Sequence, residues 1–233
     1  MGWLVDSIRG TIHLPPHRVE RLQEMLADLE GRRFVSLKDW RQLLGELRSM
    51  LVAIPGAEGL FSHLQAALVA SKRGRVRVTK SAQDELCDWG WLAADISARP
   101  TSIAEVVRKP ASVVQAVDAA GPGMGGVAFD LFRPDDSDPI LWREPFPPEL
   151  QARLVSWDNP GGDITNSDLE QAAVNAGHDV VAQHIDVRHR TVATASDNTP
   201  TVAWTLKGSV SRDAPVAYLL RLLALHRRFI AIR

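Results

Sequence analysis

The period of the apolar residues changes near residue 110, and this change constrains the fold more than any other feature of the chain. Up to about residue 100, apolar side chains recur at every third or fourth position, the spacing of one helix face. Beyond about residue 110 they fall in short β-branched runs broken by Gly, Pro, Asn and Asp, the texture of strands and turns. The chain therefore reads as a mainly helical part over 1–100 and a mixed α/β part over 110–233. A length of 233 residues is enough to bury a core in each.

In the helical part, residues 3–14 read as two short strands turning at Arg9-Gly10, and Pro15-Pro16 ends them and opens a helix. Val19, Leu22, Met25, Leu26 and Leu29 form its stripe over 17–30, and Gly31 stops it. Ser36 is a helix cap with Asp39 three residues on, ahead of a second stripe over 37–52 (Leu37, Trp40, Leu44, Leu47, Leu51). Pro55-Gly56 breaks it, and 57–70 reads as a third helix. Lys72, Arg73, Arg75 and Arg77 lie in a basic connector. A fourth helix spans 81–96, with Leu86, Trp89, Leu92 and Ile96 on one side. Core packing is expected for Trp40, Trp89 and Trp91, and a small buried side chain for Cys87.

In the second part, Ser112–Val117 reads as a strand ending at Asp118, and Gly121–Gly126 as a turn. Val127–Phe132 is a second strand, Pro134–Asp138 a polar turn, and Ile140–Trp142 the start of a third strand. After a loop to about 163, Asn166 or Ser167 is expected to cap a helix reaching about 183. Thr191–Ser196 is a fourth strand ending at Asp197. Pro200–Leu206 and Ala214–Arg228 read as helices, and Phe229–Ile232 as the start of a fifth strand. The order βββ-α-β-α-β predicts a mixed five-stranded sheet with flanking helices, not a doubly wound one.

Charge and composition exclude several classes. The net charge of −1 hides an asymmetry: residues 1–80 carry 13 Lys and Arg against 8 Asp and Glu, and residues 81–233 carry 14 against 20. The basic front suits a polyanion, and the acidic back suits divalent cations. No apolar run is long enough to cross a membrane, and the N-terminus lacks the pattern of a secretory signal. The single cysteine, Cys87, excludes an internal disulfide and a cysteine-based zinc site, so a cytoplasmic or nuclear location is expected. Gly121–Gly126 is no phosphate-binding loop of the Walker type, because no Gly-Lys-Ser/Thr follows. His184 and His189 lack a zinc-like spacing.

Three acids stand out by position. Asp118 ends the first strand of the second part, Glu170 lies in the first turn of its first helix, and Asp197 ends the fourth strand. Where the first and fourth strands are neighbours and the helix packs across them, the three carboxylates converge. Hard cations need this arrangement: oxygen donors on rigid elements, with positions left for water and substrate. Two Mg²⁺ ions about 4 Å apart would activate a water and stabilise the leaving oxygen of a phosphodiester.

The runs Ile164–Ala173 (ITNSDLEQAA) and Ser196–Trp204 (SDNTPTVAW) resemble the ribonuclease H domain of retroelement reverse transcriptases. Val117–Gly121 followed by Gly125–Phe129 is similar to the first-strand motif of that family, and the N-terminal part resembles its primer grip, thumb and connection. The resemblance implies a ribonuclease H-like domain over 110–233, preceded by a thumb/connection-like domain over 1–100. It implies cleavage of the RNA strand of an RNA–DNA hybrid with two Mg²⁺ ions, or Mn²⁺ as substitute, held by Asp118, Glu170 and Asp197. Asn198 would shape the turn or touch the hybrid. Lys72, Arg73, Arg75 and Arg77, with Arg227 and Arg228, would contact its phosphates, and the polymerase part of the same polyprotein would be a partner. Asp168 is two residues from Glu170, about 200° round the helix, and points elsewhere. The family's fourth ligand, in a helix after the fifth strand, has no match up to Arg233, and the paired aspartates of the polymerase palm are absent. The alternative those departures motivate is a non-catalytic nucleic-acid-binding or assembly module.

Overall fold

The computed structural model describes residues 2–107, 109–133, 138–210 and 215–230. The N-terminal hairpin is β1 (Leu4–Asp6) and β2 (Thr11–His13), followed by α1 (Pro16–Leu29), β3 (Phe34–Ser36) and α2 (Leu37–Met50). Short 3-10 turns at Leu51–Ala53 and Ala57–Phe61 lead into α3 (Ser62–Val69). The expected third helix over 57–70 is thus split at Phe61–Ser62. Next come β4 (Arg75–Arg77), α4 (Lys80–Ala98), β5 (Thr101–Ser102) and α5 (Ile103–Val106).

Side-chain caps set the starts of α2 and α4. The Ser36 hydroxyl accepts the Asp39 N–H at 3.1 Å, and the Thr79 hydroxyl accepts the Ala82 N–H at 3.2 Å. Trp40 and Trp89 are fully buried because each indole N–H finds a carbonyl, Leu64 O at 3.2 Å and Leu60 O at 3.3 Å. Trp91 is exposed, and so is Cys87, against expectation, because both fall outside the buried face of α4. The basic segment is not a bare connector either. It turns at Arg73 and Gly74, both at positive φ, and β4 pairs with β3 in a hairpin.

The second part is a four-stranded sheet ordered β8-β7-β6-β9. It comprises β6 (Val113–Ala120), β7 (Gly123–Asp130), β8 (Ile140–Pro145), the short α6 (Pro148–Gln151), α7 (Asn166–His184), β9 (Val192–Ala195), α8 (Thr199–Lys207) and α9 (Pro215–Ile230). The first three strands are an antiparallel meander, and β9 lies parallel to β6. Val113, Gln115, Val117 and Ala119 are buried on the face covered by α7, whereas Ala116, Asp118 and Ala120 lie on the open face. No helix is long and apolar enough to cross a membrane among the described residues.

Three sequence expectations need correction. The glycine run is a strand from Gly123 onward, and only Gly121-Pro122 turns. Neighbouring backbones come so close that a Cβ on Gly123 would lie 2.6 Å from the Glu144 carbonyl oxygen, and one on Gly126 would lie 2.7 Å from that of Ala116. The cap of α7 is Thr165, not Asn166 or Ser167, because Thr165 and Asp168 bond each other's backbone reciprocally. The expected fifth strand is absent at Phe229–Ile230, which continue α9, so the sheet has four strands among the described residues. Pro134–Ser137, Ala214 and the end of that expected strand lie outside the described residues.

Helix α9 packs against α7 on one side and against the 57–61 turn and α4 on the other. Gly59 permits the approach, since a Cβ there would lie 2.4 Å from the Leu220 carbonyl oxygen. Two arginines fix the register. Arg221 grips Asp88 (2.5 and 3.1 Å), and two turns on Arg228 grips Asp95 at 2.6 Å. Arg228 also donates to Thr101 Oγ1 at 2.9 Å and to the Arg99 carbonyl. It is 2% exposed, so it does not face a nucleic acid as the sequence suggested. Arg227 departs from expectation as well: it lies half-buried beside Gly56, its Nε has no partner, and burial holds its pKa below the usual arginine value.

Arg228→Ala leaves Asp95 without its strongest partner and opens a void between the two parts. The expected loss is about 3–5 kcal/mol, measured by denaturant unfolding. Lys72→Ala, which removes an exposed side chain without an ion pair among the described residues, is expected to change stability by less than about 0.5 kcal/mol in the same measurement.

Candidate metal centre

The site is built where β9 stops pairing with β6. Their ladder runs from Val113 opposite Val192 to Ala116 opposite Ala195 and ends there. From Val117 onward, no strand pairs with β6 on that side among the described residues, and the Ala119 N–H is free of β9. Glu170 fills this gap from α7: its Oε1 accepts the Ala119 N–H at 3.3 Å, and its Oε2 accepts the Ser196 hydroxyl at 3.3 Å. Ser196 and Asp197 follow directly on β9, and Asp118 precedes Ala119 on β6.

The result brings the three sequence-predicted acids together. One ligand oxygen from each of Asp118, Glu170 and Asp197 lies within 4.8 Å of the other two. Glu170 is 2% exposed, and the two aspartates are open to solvent. Burial is the main cause that raises the Glu170 pKa above its usual value. The Ala119 N–H offsets part of this, and the negative charges of Asp118 and Asp197 add to it. No cationic side chain ion-pairs with these acids among the described residues. An all-oxygen donor set with one buried and two open members, and with no cation ion-paired to it among the described residues, fits a hard divalent cation.

Asp168 does point elsewhere, as its place on the helix requires. Its Oδ2 accepts the Thr165 N–H at 2.8 Å and the Thr165 hydroxyl at 2.7 Å, which fixes the start of α7 about one turn before Glu170. Asn198 caps α8, accepting the Thr201 N–H at 3.0 Å, and its own N–H donates to Ser196 Oγ at 3.2 Å. It therefore holds the turn that presents Asp197. Ser196 is a positioning residue that the sequence reading did not single out. The only signal was its place between a strand end and a candidate acid.

The basic residues form a separate surface. Lys72, Arg73, Arg75 and Arg77 line a cavity of about 730 Å³ together with Phe34 and Thr79. All four are exposed, and none is ion-paired among the described residues. Arg75 and Arg77 share one face of β4 because Val76 between them turns into the core.

No protein-family model and no curated protein matches the sequence. Among solved structures, the chain is similar to the foamy viral protease-reverse transcriptase in complex with RNA/DNA hybrid. That likeness has a TM-score of 0.36 and 10% identity, over 97% of this chain and 27% of that one. It is also similar to the foamy viral protease-reverse transcriptase dRH in complex with ds DNA, with a TM-score of 0.36 and 9% identity, over 87% of this chain and 31% of that one. The chain spans less than a third of the length of either.

The raised Glu170 pKa has a stability consequence. Between the ordinary and the raised pKa, the folded chain binds more protons than the unfolded one, so stability falls as pH rises through that window. Glu170→Gln removes this penalty. Without divalent ions, the variant is expected to match the parent below pH 4 and to melt higher at pH 7, by ~2–4 °C for each kcal/mol relieved. Mg²⁺ is expected to raise the melting temperature of the parent and not that of the variant.

Proposed function

We propose that this chain carries a ribonuclease H-like domain that hydrolyses the RNA strand of RNA–DNA hybrids with the help of divalent cations. The observation that carries this reading is the meeting of Asp118, Glu170 and Asp197, from three separate elements, within 4.8 Å. Mg²⁺, or Mn²⁺ in its place, would be held by these three carboxylates, and when bound it supplies charge neutralisation and activation of a water for attack on phosphorus. The protein's own residues do the positioning. Ser196 and the Ala119 N–H orient the Glu170 carboxylate, and Asn198 fixes the turn bearing Asp197. Asp118 and Asp197 stay open to solvent, where a nucleic-acid strand has access.

The unpaired cations on the β3–β4 hairpin support binding of a polyanion. Such contacts read the backbone and not the bases, so recognition rests on shape, phosphate and 2′-hydroxyl groups. The thumb/connection-like role of residues 1–100 belongs to the same proposal.

The test is cleavage of a labelled RNA–DNA hybrid with Mg²⁺ or Mn²⁺, beside an Asp197→Asn variant. The expected result is metal-dependent cleavage of the RNA strand that drops to background in the variant. Hybrid binding without cleavage by the folded parent would replace this reading with the non-catalytic module. Replacing Lys72, Arg73, Arg75 and Arg77 together by Ala is expected to lower the slope of log affinity against log salt by about three to four.

A further inference from the structure

The open face of the sheet carries a feature that the carboxylate cluster does not use. Asp118 on β6 lies opposite Gly125 on β7, and Gly125 lies opposite Arg143 on β8. Residues in one such row project from the same face, so an acid and a guanidinium flank a position with no side chain. The gap is enforced: a Cβ on Gly125 would lie 2.9 Å from the Trp142 carbonyl oxygen, and one on Gly123 would lie 2.6 Å from that of Glu144. The row forms part of an open cavity of about 960 Å³, lined by Ala116, Asp118, Gly123, Gly125, Leu141 and Arg143 among others. Arg143 is exposed, and its guanidinium has no hydrogen bond or ion pair among the described residues.

We infer that Arg143 is a positioning residue that grips a backbone phosphate of the nucleic-acid strand lying across this bare floor. The inference rests on the nuclease reading above and names a binding group for it. Two strand spacings separate Arg143 from Asp118, about 10 Å. Successive phosphates of one strand are further apart through space than their rise of about 3.4 Å along the duplex axis, so Arg143 addresses a phosphate within about two nucleotides of the one at the carboxylates. The planar guanidinium matches two phosphate oxygens at once, which a lysine does not reproduce. The glycine floor lets the sugar–phosphate backbone come down onto the sheet, and the adjoining Ala116 and Ala120 are small enough to leave it there.

The experiment compares the parent with Arg143→Ala and Arg143→Lys, reading Mn²⁺ binding by titration calorimetry and hybrid affinity across a salt series. Ca²⁺ replaces Mg²⁺ in the affinity series so that the strand is not cut. The expected result is unchanged Mn²⁺ binding in both variants, about tenfold weaker hybrid binding for Arg143→Ala, and a salt slope lower by about one. Arg143→Lys is expected to restore the slope but only part of the affinity. In cleavage with Mg²⁺, the loss falls on KM more than on kcat. Mn²⁺ binding with an unchanged salt slope and affinity in Arg143→Ala would overturn the role of Arg143 alone. A parent chain that binds no Mn²⁺ would overturn the nuclease reading, and the role of Arg143 with it.

Discussion

The pairing of β9 with β6 stops after four residues, and the carboxylate cluster depends on that stop. A full-length ladder would occupy the Ala119 N–H and seal the edge of β6. Because β9 leaves early, that donor is taken by Glu170, and the chain beyond β9 turns across the same gap. A buried backbone donor demands a partner, and here the demand is met by a carboxylate from α7. That one bond ties the helix, the central strand and the end of the parallel strand into a single constellation.

The cluster is electrostatically unfavourable by itself. Glu170 is buried beside two aspartates, and its carboxyl is pushed up mainly by the loss of water around it. Proteins tolerate such an arrangement where something supplies the missing positive charge. The rest of the fold supplies rigidity rather than charge. The Thr165–Asp168 capping box anchors α7 one turn before Glu170, and Arg221 and Arg228 lock α9 behind it against α4. The acidic site and the basic β3–β4 hairpin belong to parts that meet along this helix and at Val210, whose N–H donates to Ser62 Oγ at 3.1 Å.

Much of the fold was legible in the sequence because its elements carry local signals. The stripes of α1, α2 and α4, the cap at Ser36, and the alternation of β6 are short-range patterns. The three acids were legible because each sits at the end or start of such an element. What escaped was decided at long range. The glycines of β7 look like a turn, yet they are strand residues forced to be glycine by the backbones of β6 and β8. Phe229–Ile230 read as a strand from their own composition, while Arg228 beside them is pinned into the helical bundle by Asp95 and Thr101. Arg228 read as a phosphate contact for the same reason: sequence shows charge but not the aspartate 133 positions away that takes it. Ser196 gave almost no signal, because its role comes from a hydrogen bond to Glu170, 26 positions away.

The central claim is that Asp118, Glu170 and Asp197 together form a divalent-cation site. It is tested most directly by crystals grown with Mn²⁺ and measured for anomalous scattering at the manganese edge. The account predicts anomalous density between the three carboxylates, lost in crystals of the Glu170→Gln variant. Ordered carboxylates with no anomalous density among them, in crystals that hold Mn²⁺ elsewhere, would contradict it.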